Sequence, residues 1–403
     1  MILIFAVNQE LSIAFAVMSV VAVWMLLAIY LPMLSRLRRA LYGNAHEESG
    51  DRLPVSVVVY TYANSKGLDE VIKSLYEQEY GAPKEIIVVN DGKDNGVEDF
   101  LTIAGIRYSD LRSTFTPHDT RNISRKKLAL TLGIKAARYP IVLLLTSESR
   151  IRGRHWLSAM AAPFNDDGIE LVLGYAGPGN SDVKRRLVSR GMRHDILLGD
   201  MEWLGDALAG AAWRADGDNM GLRRSMFFER MGFGNSLNLQ YGDDDVFISE
   251  SATMSNTAVA IGPEALVVTE APEDMPGYYR FKRERHAMMD AYCARRPSMR
   301  IMFGCVLPWI WLLSSVAACV LALWNISDAF TASDIVFTCS VLGTVVLSGA
   351  VLWISLGVAF NRVSVSLAGR TLRWGVAHML LSRLLRRWRW RRRKAPRSWQ
   401  QPR

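Results

Sequence analysis

Cysteine is scarce. The 403 residues hold four, Cys293, Cys305, Cys319 and Cys339. None stands at metal-ligand spacing from another, and so few do not make a disulfide framework. Cys305, Cys319 and Cys339 fall inside apolar runs, and a reducing, cytosolic setting suits the rest. Acidic residues are missing from 370–403, where 12 Lys and Arg gather. The net charge of +9 is therefore a tail property, and the remainder of the chain is slightly acidic. That distribution speaks against a nucleic-acid partner. Trp374, Leu380, Leu381, Leu384, Leu385, Trp388 and Trp390 interleave with the arginines, which suits a helix lying on anionic lipid. Charge of either sign is absent from Leu11 to Ser35, from Ile301 to Ile326 and from Ile335 to Asn361. Each run is long enough to cross a hydrocarbon core of about 30 Å as a helix. With no charged residue inside these runs, a transporter or channel is not expected.

The first run also lacks the marks of a signal peptide. No cationic stretch precedes it, its apolar core is too long and no small-residue cleavage site follows. It reads as a retained anchor. Arg36, Arg38 and Arg39 follow this run while Glu10 precedes it, which puts the N-terminus outside and the middle of the chain inside. The link Asn325 to Asp334 has no Lys or Arg, as an outside loop should, and the segment after Arg362 is strongly basic. The expected organisation is an N-terminal transmembrane anchor (1–40), a cytosolic domain (52–290), two transmembrane helices (300–361) and a basic amphipathic tail (362–403). The location would be the plasma or inner membrane.

The middle of the chain has no internal repeat and no low-complexity linker. Pro54 to Tyr60, Glu85 to Asn90 and Ile141 to Leu145 are short apolar runs that read as buried strands. Leu68, Val71, Ile72 and Leu75 have helical spacing, and Lys126 to Arg138 is a second helix. Strands alternating with helices imply an α/β domain with a mainly parallel, doubly wound sheet. Ligands in such sheets sit beyond the carboxyl ends of the strands. Those ends carry Tyr62 and Asn64, then Asp91, then Ser147 and Glu148. Polar residues at successive strand ends suit a nucleotide pocket, although Asp91-Gly92 alone would also serve as a plain turn. Asp243-Asp244-Asp245 places three carboxylates side by side, which requires a compensating cation or a raised pKa. A helix cap is the structural alternative.

In order and spacing these pieces resemble a family 2 glycosyltransferase of the GT-A type over roughly 52–290. The resemblance rests on Val55 to Val59, Glu85 to Gly92, Ser124 to Leu130 with Gly133 and Ala136-Ala137, and Ile141 to Leu145. It continues through Asn219 to Ser225, Gly242 to Val246 and Lys282 to His286. The resemblance implies a GT-A, Rossmann-like nucleotide-sugar domain. Asp91 would bind the uracil or ribose of a nucleoside diphosphate-sugar, expected to be UDP-linked. The segment Ser124 to Lys127 would line the nucleotide pocket, and Arg125, Lys126 and Lys127 could neutralise diphosphate; a solvated helix start is the alternative. Asp243 would be the base that takes the acceptor proton, with Asp244 second and Asp245 orienting the loop. Asn219, Arg285 and His286 would face the acceptor or the diphosphate. Arg285 matches the arginine of a Gln-x-x-Arg-Trp-like element. His286 replaces Trp and Lys282 replaces Gln, which puts polymer synthesis in doubt; a basic helix leading to the membrane is the alternative.

The family usually ends its third core strand with Asp-x-Asp, which holds Mg²⁺ or Mn²⁺ against the diphosphate. Here Ser147-Glu148-Ser149 stands in that place. Glu148 could still supply one metal ligand, the cations could take over without a metal, or activity could be lost. The implied function is a membrane-bound, hexosyl-type glycosyltransferase, inverting, that uses a nucleoside diphosphate-sugar. Its acceptor would be a lipid-linked species or a surface glycan. The rival is a non-catalytic scaffold that binds sugar nucleotide or partners another membrane enzyme.

Overall fold

The computed structural model describes residues 2–43, 53–62, 65–92, 95–117, 123–178, 186–239, 241–269, 275–293, 299–328, 331–368, 376–377 and 379–381. The chain divides into two compact units. One comprises most of helices Ile2–Tyr42, Met299–Asp328 and Ala332–Ala368. All three are long and apolar enough to cross a membrane, as their charge-free runs predict. Apolar helices of this kind, which would gain no hydrophobic drive to associate in lipid, are held together by small residues and polar contacts. Ala16, Ala318, Ala322 and Val341 form a buried cluster. The Thr338 hydroxyl donates to the Ala322 carbonyl at 2.9 Å. A Cβ on Gly304 would stand 2.6 Å from the Tyr30 hydroxyl. Residues 382–403 of the expected lipid-binding tail lie outside the described residues.

The other unit is an α/β domain. Its strands are β1 (Val55–Thr61), β2 (Lys84–Asn90), β3 (Leu111–Phe115), β4 (Ile141–Thr146), β5 (Arg150–Ile151), β6 (Leu171–Leu173), β7 (Tyr175–Pro178), β8 (Met220–Arg223), β9 (Thr257–Val259) and β10 (Leu266–Thr269). The main sheet has the order β3-β2-β1-β4-β8-β6-β9, and β5-β10-β7 form a second sheet. Strands β1 to β4 are parallel, and β8 runs antiparallel to both β4 and β6.

Continuous apolar strands arise because helices cover both faces of a parallel sheet. Val55, Val57 and Val59 of β1 join Leu68, Val71, Ile72 and Leu75 of helix Ser65–Tyr76 in one buried cluster. Each such side chain contributes about 1.5–3 kcal/mol relative to exposure. On the other face lies helix Arg125–Ala136. Its Gly133 permits a close approach, since a Cβ there would meet Val58 Cγ1 at 2.5 Å and Val89 Cγ2 at 2.8 Å.

Two features assemble the carboxyl edge of the sheet. The N–H of Asp91 donates to the Thr61 carbonyl (2.9 Å), and that of Ser147 to the Tyr60 carbonyl (2.8 Å), so three strand tips are knitted together. Because β8 runs backwards, with Met220 opposite Leu144, the residues just before it arrive at the same edge. Further along the chain, Phe227, Phe233 and Phe247 pack with ring centroids 5.1–5.6 Å apart. Phe247 belongs to helix Asp245–Ser251, so this cluster anchors the start of the acidic segment.

Candidate active site

A cavity of about 450 Å³ opens at this edge. Asp91, Arg125, Lys126, Asp243, Asp244 and Arg285 all line it, together with Tyr62, Tyr241 and Phe281. The tips of β1 and β2 and the first two acids of the triplet therefore share one pocket.

Helix Arg125–Ala136 supplies its centre. The Ser124 side chain caps the helix by accepting from the Lys127 N–H. The first turn carries no acid; instead three cations stand at a terminus whose dipole already favours negative charge. Two of them reach in different directions. The Arg125 guanidinium pairs with Asp91 Oδ1 at 2.8 Å and donates to the Asp91 carbonyl at 2.9 Å. The Lys126 ammonium pairs with Asp243 Oδ2 at 2.8 Å and lies 3.9 Å from Asp218 Oδ1. Tyr60 donates to the second Asp91 oxygen at 3.0 Å. Burial pushes the Asp91 carboxyl up, against the pull of Arg125 and Tyr60.

The acidic triplet divides into three roles. Gly242 turns the chain with φ +92°, where a Cβ would strike Val246 Cγ2 at 2.6 Å. Asp243 then faces the cavity. Asp244 caps the following helix, accepting from the Asp245 N–H at 2.8 Å. Asp245 is wholly buried. Arg285 donates to Asp244 at 2.7 Å and grips both oxygens of Asp245. The Arg214 Nε lies 3.6 Å from the same carboxylate.

These contacts set the protonation states. Burial alone would raise Asp243, but the Lys126 ammonium outweighs it and holds the carboxyl below the usual range. Burial and the neighbouring Asp245 and Asp243 carboxylates push Asp244 up to about 6, against the pull of Arg285. Burial would also neutralise Lys126, yet Asp243, Asp218 and Asp244 together keep it protonated.

Several sequence expectations are corrected. Lys127 does not face the cavity. It is completely buried, and its ammonium donates to the carbonyls of Ser236 (2.6 Å) and Tyr241 (2.8 Å). It is a strut between the helix and the acidic loop, with a pKa pushed down to about 8 by burial. Asn219 is a core residue rather than an acceptor contact. It accepts from the Trp156 indole (3.1 Å) and donates to the carbonyls of Tyr175 (3.0 Å) and Ala265 (2.8 Å). Ser147 is buried at its strand tip and does not line the cavity. The side chain of His286 lies outside the described residues. Asp216 and Asp218, which sequence reasoning passed over, do line the cavity. Burial and the carboxylates of Asp218 and Asp200 push Asp216 up to about 8. The local signal was present in Asp216-Gly217-Asp218, but its placement depends on the reversed strand β8.

The model of the family described as "Glycosyl transferase family 2" matches residues 56–228. This segment belongs to that family. The chain is accordingly a glycosyltransferase of GT-A fold that uses a nucleotide-sugar. No curated protein matches the sequence. Among solved structures, the chain is similar to a mannosyltransferase from Pyrobaculum calidifontis in complex with GDP-Man and Mn²⁺. The two share 16% identity with a TM-score of 0.49, covering 84% of this chain and 99% of that one. It is also similar to glucosyl-3-phosphoglycerate synthase from Mycobacterium tuberculosis, in complex with Mn²⁺, UDP and glucosyl-3-phosphoglycerate. There the identity is 16% and the TM-score 0.41, covering 66% of this chain and 85% of that one.

The donor set at the tip of β4 does not fit a divalent cation. Hard cations take carboxylate, carbonyl and water oxygens. At this tip Ser147 is buried and Glu148 is exposed. The Ser149 hydroxyl accepts from the Thr146 N–H (3.1 Å) and donates to the Asp218 carbonyl (3.3 Å). Among the described residues, no three His, Cys, Asp or Glu side chains are grouped to hold an ion.

Proposed function

We propose that the enzyme transfers a sugar from a nucleoside diphosphate-sugar, UDP-linked by preference, to a lipid-linked or surface-glycan acceptor at the cytosolic face of the membrane. The observation that carries this reading is that Asp91, the Arg125–Lys126 pair and Asp243 open into one cavity. Asp91 and Tyr62 would receive the nucleoside. Arg125, Lys126 and Arg285 would place positive charge beside the diphosphate, the two arginines while still paired with their carboxylates. Asp243, ionised at neutral pH, would accept the proton of the attacking hydroxyl. The new bond forms between that oxygen and the anomeric carbon. The bond from the anomeric carbon to the diphosphate oxygen breaks, and its electron pair leaves with the diphosphate. Attack from the side opposite the leaving group inverts the anomeric centre.

Three features of the chain support membrane placement of this chemistry. The apolar helices flank the domain in sequence, the positive residues follow the first of them, and the loop between the last two lacks Lys and Arg. In this reading the N-terminus lies outside.

A screen of sugar nucleotides against the purified full chain in lipid nanodiscs tests the reading. Donor turnover is expected with at least one compound, and Asp243→Asn should lower it by about 10²–10⁴-fold, the usual weight of general base catalysis. Nucleotide binding with no turnover of any donor would instead favour the scaffold, which the altered β4 tip also suits. Full activity in Asp243→Asn would remove that residue as the base.

A further inference from the structure

The misfit at β4 raises the question of what neutralises the leaving diphosphate. A carboxylate pair that binds a metal normally converges on open space. Here the convergence point of Asp243 and Asp218 already holds a cation, the Lys126 ammonium, 2.8 Å from one and 3.9 Å from the other. That ammonium is not sealed in. Its side chain is 33% exposed and borders the cavity, whereas the adjacent Lys127 is completely buried and fixed to two carbonyls. The Lys126 stem is flexible and its head a compact point charge, able to change partners within one pocket.

We propose that Lys126 is the built-in replacement for the divalent cation: it meets the donor diphosphate directly, so that donor binding requires no metal. This rests on the nucleotide-sugar reading above. Three observations converge on it. The strand tip lacks the paired carboxylates, and the hydroxyl of Ser149 is committed to Thr146 and Asp218. Arg125 on one side of Lys126 is tied to Asp91, and Arg285 on the other is tied to Asp244 and Asp245. Of these cations, Lys126 pairs with the more open carboxylates, Asp243 at 12% and Asp218 at 28% exposed, whereas Arg125 and Arg285 each hold a carboxylate that is almost or wholly buried, Asp91 at 2% and Asp245 at 0%. When it turns to the diphosphate, Asp243 loses its counter-charge and becomes the stronger proton acceptor. Donor binding thereby primes the base.

The test is equilibrium binding of UDP and of GDP to the full chain in nanodiscs, in EDTA and in Mn²⁺, with Mn²⁺ binding followed separately by electron paramagnetic resonance. The affinity for the preferred nucleotide is expected to agree between EDTA and Mn²⁺ to within about threefold, a difference smaller than one charge-assisted bond would give. Lys126→Met should weaken it by about ten- to a hundredfold, and Lys126→Arg should recover most of the loss, which also controls for folding. Affinity that vanishes in EDTA and returns with Mn²⁺ would overturn the proposal. So would unchanged affinity in Lys126→Met. Absence of nucleotide binding in either buffer would overturn the nucleotide-sugar reading itself, a result distinct from metal dependence.

Discussion

Replacing Arg285 with Met should destabilise the domain severely and in a pH-dependent way. The guanidinium is 16% exposed and serves two carboxylates, Asp244 at 13% and Asp245 at 0%. Removing one partner of a buried ion pair costs about 3–5 kcal/mol, because the other charge stays behind without compensation. Arg214, 3.6 Å from Asp245, still offers part of a counter-charge and sets the expectation near the lower end, about 3 kcal/mol. For a domain of this size each kcal/mol moves Tm by about 2–4 °C, so a fall of roughly 6–12 °C is expected. The pH dependence follows from Asp244. Its carboxyl stands at about 6 even with Arg285 pulling it down. Without that pull it rises further, so in mild acid the carboxyl is neutral and part of the cost disappears. Thermal unfolding of the full chain in detergent, at about pH 5 and pH 7.5, reads both effects. Arg285→Lys should fall between, since a single ammonium cannot span both carboxylates. A loss below about 1 kcal/mol at pH 7.5, the scale of an exposed pair, would refute the argument.

Asp216 supplies an opposite case. Its folded pKa, about 8, lies above the unfolded value of about 3.9, so its ionisation destabilises the fold from near pH 4 and fully above pH 8. Asp216→Asn should therefore raise Tm at about pH 9 and change it little at about pH 4.5; equal shifts at both would contradict the assignment. Gly133→Val should cost about 1–3 kcal/mol by overpacking, since its Cβ would press on Val58 and Val89. A melt unchanged from the parent would show that the helix can lift away without penalty.

The α/β core was legible because its signals are local. The apolar runs at Pro54, Glu85 and Ile141 became β1, β2 and β4 with their ends shifted by a residue. The helical spacing from Leu68 to Leu75 lies within helix Ser65–Tyr76, its apolar positions buried. Asp91, Arg125, Lys126, Asp243 and Arg285 stand at motif positions in the sequence, and they meet in one cavity. The misreadings concern residues whose roles depend on distant partners. Lys126 and Lys127 are neighbours of the same type, yet one faces the cavity while the other serves carbonyls of Ser236 and Tyr241, more than 100 residues away. Asn219 is held by Trp156, Tyr175 and Ala265, contacts that no local pattern announces. Asp216 and Asp218 escaped notice because their position follows from the direction of β8, and a four-residue strand does not declare which way it will run.

Arg285 comes from the last helix of the domain, Met275–Tyr292, while the acids it holds lie some forty positions earlier in the chain. During synthesis those acids leave the ribosome well before their guanidinium does. Until that helix is made, Arg214 is the guanidinium already present that reaches Asp245 in the finished domain. The stretch that leads into the second apolar helix in sequence is thus also the one that completes the charge balance of the acidic loop.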